Sequence, residues 1–190
     1  MKCYQIKVML LEKGDYVRVY RGLARVRKDE VFTNKERMVE VEMLDDNSLI
    51  VEGDIINVDR DIVLYNTDYK YSMEVMKYVA AEYNIKLVQV VKGDKYCVAD
   101  GEESYINRSF IIGNDEIQLG IYESDELRCA SFFHELGHTM VTDDFAQVVE
   151  GMWHIEVMAW RIGFNTAKGY DILFSDSTTK WAEEQIATYK

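Results

Sequence analysis

The chain holds only three histidines, and two of them stand four residues apart around a glutamate, in His134-Glu135-Leu136-Gly137-His138. Residues four apart share one face of a helix. Two imidazoles on that face can point at one metal ion, and neutral imidazole is a good zinc ligand. Glu135 is one residue along from His134 and cannot bind the same ion in the same way. It is placed instead to act on a water at the ion, as the general base of a hydrolysis. Gly137 costs helix propensity, about 1 kcal/mol relative to Ala. A missing side chain there lets a strand or a substrate come close to the helix.

A catalytic zinc takes three protein ligands and keeps a fourth position open. The third ligand must therefore lie elsewhere in the chain. Glu156 stands 18 residues beyond His138 (156 − 138), inside WHIEVMAWRIG. Ala159 follows three residues later on the same helical face, and its small side chain leaves room for a second helix to cross the first. Glu156 is the expected third ligand. Asp144 is its main rival, at the third-ligand position of HExxHxxGxxH/D enzymes. Those enzymes need a glycine at the turn, where this chain has Val141. Glu150 and His154 are further candidates without a supporting pattern. Hydrolysis of this kind also calls for a donor to the developing oxyanion, and His154 and Tyr170 are candidates.

These residues need elements to hold them. Ser124 is placed to cap a helix with Asp125 and Glu126 in its first turn, and that helix carries the two histidines to an end near Thr142-Asp143-Asp144. A second helical segment runs over residues 153–164, with an earlier start interrupted at Gly151. A last helix fits residues 177–189, with Trp181, Ala182, Ile186 and Tyr189 on one face. Upstream, Ser72 caps a helix with Met73, Met76, Val79, Ala80 and Tyr83 at helical spacing. Residues 85–91, 95–99, 104–112 and 116–122 read as strands, the last two joined by a turn at Gly113-Asn114-Asp115.

The first third alternates instead. Ile6, Val8 and Leu10 form one such run, Val17 and Val19 another, and Val39, Val41 and Met43 a third. Asp45-Asp46-Asn47 would turn the third into a hairpin with Leu49-Ile50-Val51, and residues 55–58 and 62–65 fit further strands. The order of elements makes the class α+β. Residues 1–66 form a β-rich region that contributes no metal ligand. Residues 67–190 form the domain with the site: a helix, a small mixed sheet, the motif helix and C-terminal helices.

Composition narrows the partners. The formal net charge is −12, which argues against nucleic acid or an anionic membrane. The basic stretch RVYRGLARVRK alternates with apolar residues and reads as the solvated face of a strand. No apolar run is long enough to span a membrane, and charges at Lys7, Glu12 and Lys13 break any signal-peptide core. Cys3, Cys97 and Cys129 form no CxxC pair, which suits a reducing, cytoplasmic setting. The oligomeric state has no sequence signature.

The motif His134-Glu135-Leu136-Gly137-His138, followed by Glu156-x-x-Ala159, resembles the compact gluzincin-type metallopeptidases. It is most similar to the small bacterial and phage group known as ImmA/IrrE. The resemblance spans residues 72–167. It implies a zincin-like metallopeptidase domain, with Zn2+ held by His134, His138 and Glu156 and with Glu135 catalytic. The implied reaction is hydrolysis of a peptide bond in a cytoplasmic protein substrate, the substrate lying along an edge strand just before the motif helix, here within residues 116–122. The segment departs from the family at Trp160, where a polar residue usually follows the alanine, and residues 1–66 match no family pattern. Two other functions fit the same residues: a phage- or toxin-associated protein that keeps zinc for binding or regulation, and a zinc hydrolase acting on a non-peptide amide.

Overall fold

The computed structural model describes residues 11–19, 22–33, 36–44, 52–59, 68–89, 108–113, 115–141 and 151–190. The fold is α+β, in two compact units, Met1–Tyr69 and Lys70–Lys190.

In the first unit, β1 (Tyr16–Val19), β2 (Gly22–Thr33), β3 (Glu36–Met43) and β4 (Ile55–Asp59) form an antiparallel sheet in the order β1-β2-β3-β4. Period-two alternation builds its core. Val17, Val19, Ala24, Val26, Val39, Val41, Met43 and Val58 are buried together with Leu11. The intervening residues are charged and pair across strands, Arg27 with Glu42 at 3.0 Å and Lys28 with Glu40 at 3.1 Å. The basic stretch is thus, at these two positions, a solvated strand face. The strand that pairs with β3 is β4, with Val39 opposite Val58. The expected hairpin through residues 45–51 lies outside the described residues, as do the strand runs at 6–10, 62–65 and 95–99.

The second unit holds α1 (Met73–Glu82), β5 (Lys86–Gln89), β6 (Phe110–Ile112), β7 (Glu116–Leu119), α2 (Asp125–Met140), α3 (Met152–Gly169) and α4 (Asp176–Ala187). Ser72 and Ser124 cap α1 and α2, accepting from the amides of Val75 at 3.3 Å and Leu127 at 3.1 Å. Ser175, two residues before the expected start at 177, caps α4. Tyr83, expected on the apolar face of α1, is exposed at its C-terminus, and Val75 is buried instead. α3 runs on past Phe164 because Ala167 and Ile172 are buried, and Asp171 at φ 58 closes its end.

The three strands lie in the order β5-β7-β6, β5 parallel to β7 and β6 antiparallel to it, with Gly113 at φ +62 in the hairpin. This corrects the expectation for residues 116–122. β7 is the central strand, its backbone groups already shared with two neighbours, and it offers no edge to a substrate. Among the described residues the outer strand on that side is β6. The sheet backs onto α2, whose residues 129–134 are all buried and which therefore forms the centre of this unit. Among the described residues no helix is long and apolar enough to cross a membrane.

Candidate metal centre

α2 and α3 touch at the backbone. A Cβ built on Gly137 would lie 2.0 Å from the Ala159 carbonyl oxygen, and one on Gly163 would lie 2.1 Å from the Phe133 carbonyl oxygen. The small residues are therefore what sets the separation of the two helices. The segment that comes close to Gly137 is a helix, the one carrying Glu156. Helical spacing does the rest: Glu156 and Ala159 are both buried on the face of α3 turned toward α2.

The result is a tight triangle of ligand atoms. His134 Nε2 and His138 Nε2 are 3.2 Å apart. Glu156 Oε2 lies 3.2 Å from the first and 3.5 Å from the second. Three atoms each about 2.0–2.1 Å from one tetrahedral zinc would stand about 3.3–3.4 Å from each other. The triangle has the size of such a ligand face, and the donor set of two imidazoles and one carboxylate suits zinc. This cluster could hold a metal ion.

The charges around it follow from burial. Burial pushes the Glu135 carboxyl up to about 8, and the charge of Glu156 adds to the shift. Burial acts in the same direction on Glu156, but hydrogen bonds from His134 and His138 outweigh it and bring that carboxyl down to about 2. Burial lowers His134, which favours the neutral imidazole a metal requires. His134 Nδ1 is buried and has no hydrogen-bond partner among the described residues. Its ring lies instead against Trp160, with centroids 4.2 Å apart and planes at 23°.

A cavity of about 230 Å³ opens beside the triangle. His134, Glu135, His138 and Glu156 line one side. Arg108, Phe110 and Ile111 come from β6 and the residue stretch before it, and Trp181, Gln185 and Tyr189 from α4 and the turn after it. α4 is tied to the start of α2, where Glu126 accepts from the Ser175 amide at 2.6 Å. Three further residues of the lining join their hydroxyls in a ring: Ser109 to Tyr122 at 3.0 Å, Tyr122 to Ser131 at 2.6 Å, and Ser131 to Ser109 at 2.8 Å.

His134, Glu135, His138 and Glu156 are thus brought together. Asp144 and Glu150 lie outside the described residues. Val141, where the rival motif needs a glycine, sits at φ −72 and makes no positive-φ turn. His154 and Tyr170 do not line the cavity. His154 lies in the first turn of α3 beside Trp153, and Tyr170 caps the far end of that helix with its ring edge-on to Tyr78. Two phenols do line it, Tyr122 of the hydroxyl ring and Tyr189, whose pKa is raised by burial first, with the charge of Glu156 adding and Arg108 opposing. The place of Tyr189 on the Trp181–Ala182–Ile186 face was visible in the periodicity, but there it reads as a core position. Comparison with protein-family models, curated proteins and solved structures returned no match.

Proposed function

We propose that the chain is a zinc metallopeptidase of the gluzincin type, similar to the ImmA/IrrE group, that cuts a peptide bond in a cytoplasmic protein substrate. One arrangement carries the reading. Three ligand atoms face a common point, and a fourth group, the Glu135 carboxyl, lines the same cavity without belonging to the triangle. A zinc kept only for structure has no use for such a carboxyl.

His134, His138 and Glu156 would hold the ion, which supplies a Lewis acid and brings the pKa of water toward neutrality. Glu135, raised to about 8 in the metal-free chain, would be drawn to its carboxylate form by the charge of a bound cation, and would then accept the proton of a water and return it to the leaving amine. Tyr189 offers a phenolic O–H to the carbonyl oxygen as it gains charge. β6, an outer strand among the described residues, whose Phe110 and Ile111 line the cavity, is the strand along which an extended peptide would pair.

The test is cleavage of a peptide library by zinc-loaded wild type and by Glu135→Gln, read by mass spectrometry with metal content measured on both. Cleavage by the wild type, and none by a variant that retains its zinc, is the expected result. A zinc-loaded wild type that cuts no peptide contradicts the reading and leaves the binding or non-peptide alternatives.

A further inference from the structure

Trp160 stands four residues after Glu156 on α3, so both project from one face of that helix. Glu156 reaches the triangle, and Trp160 lies flat on the ring of His134. The contact is a stack, with centroids 4.2 Å apart and planes at 23°. Trp160 is itself only 5% exposed. It is wedged edge-to-face between Phe164, 5.5 Å away, and Trp181, 5.6 Å away.

A histidine ligand is ordinarily fixed by the hydrogen bond that its second nitrogen donates, and losing that partner costs about 10–100-fold in metal affinity. His134 Nδ1 has no such partner among the described residues. Rotation about the last torsion of histidine is broad and soft, so a hydrogen bond or a packed wall must select one ring orientation. The ring of His138, its centroid 4.5 Å away and its plane at 76°, bounds the His134 ring on one side, and the flat face of Trp160 bounds another. A coordinated imidazole also carries part of the ion's positive charge, which an indole face attracts.

We infer that Trp160 is a positioning residue of the metal centre, holding the His134 imidazole in its ligating orientation by stacking where a hydrogen bond to Nδ1 would ordinarily do so. The inference rests on the metal-centre reading above. It makes one helix face the source of both the third ligand and the platform for the first. It also gives a physical role to the indole that stands after Ala159.

The test compares zinc affinity, by competition with a chelator, in wild type, Trp160→Phe, Trp160→Leu and His134→Ala. The visible spectrum of bound Co2+ reports ligand geometry, and thermal unfolding of the metal-free proteins reports the fold. Phe keeps a flat face and is expected to bind within about threefold of wild type. Leu fills space without a face and is expected to lose about 10–100-fold, with a changed Co2+ spectrum. If Trp160→Leu binds like wild type while His134→Ala loses the metal, the positioning role is wrong and the metal centre stands. If His134→Ala also keeps the metal, both fall. A second measurement does not depend on Leu being tolerated. In the wild type the carbon-bound ring protons of His134 must show the upfield NMR shift of a ring under an indole, before and after zinc is added. Loss of that shift on zinc binding overturns the inference.

Discussion

A half-buried carboxyl group beside a second carboxylate costs folding energy once it ionises, and Glu135 is in that position in the metal-free chain. Its pKa rises from 4.5 to about 8. Between those values the folded chain binds more protons than the unfolded one, so this group makes stability fall as pH rises from about 4.5 to 8. Glutamine has the same shape and no charge. Metal-free Glu135→Gln should therefore gain stability over wild type, with a gain near zero at pH 4.5 that grows to a plateau above pH 8. Urea unfolding at several pH values in chelator measures it, and parallel curves for the two proteins would show that Glu135 is solvated. At this scale much of the site was legible. Two histidines four apart around a glutamate can be read from spacing, and Ala159 three residues after Glu156 pointed to a close helix crossing. Tyr189 was not legible as a cavity residue, because an aromatic side chain on an apolar helix face looks the same in sequence whether it meets a core or a cavity.

The separation of α2 and α3 decides whether Glu156 reaches the imidazoles, and two glycines set it. In an isolated helix Gly137→Ala would gain about 1 kcal/mol. Here the added methyl meets a backbone carbonyl at 2.0 Å, which only movement of a helix can relieve. Overpacking of this kind costs about 1–3 kcal/mol. Gly137→Ala and Gly163→Ala are both expected to destabilise the fold, and to weaken zinc binding as well, since the helix that must move carries Glu156. Urea unfolding and chelator competition check the two effects; a variant more stable than wild type would deny the close crossing. Helix starts were readable in the chain because Ser72 and Ser124 are capping residues before apolar periodicity. Strand order was not. β7 alternates as an edge or a central strand would, and its place in the middle depends on β5, a parallel partner that arrives from 30 residues upstream, as in the pairing of Lys86 with Glu116. Local sequence carries no record of such a pairing.

The whole chain carries a net charge of −12, and its described metal-ligand cluster gathers two imidazoles and a carboxylate. An ion bound only by the folded form stabilises it by mass action. At zinc a hundredfold above its dissociation constant the gain is about 2.7 kcal/mol, or about 5–10 °C in the melting temperature of a chain this size. His134→Ala should show no such rise in a thermal scan with zinc, and an equal rise would place the ion elsewhere. The β-rich unit holds no histidine, and its alternation was plain in the sequence because one face of its sheet is buried and the other charged. The central claim is that His134, His138 and Glu156 together hold zinc. The most direct measurement is the anomalous diffraction signal of a zinc-loaded crystal at the zinc absorption edge. The account predicts a single strong peak about 2.0–2.1 Å from Nε2 of both histidines and from a carboxylate oxygen of Glu156. A peak centred on other residues, or none at this triangle in a crystal grown with excess zinc, would contradict it.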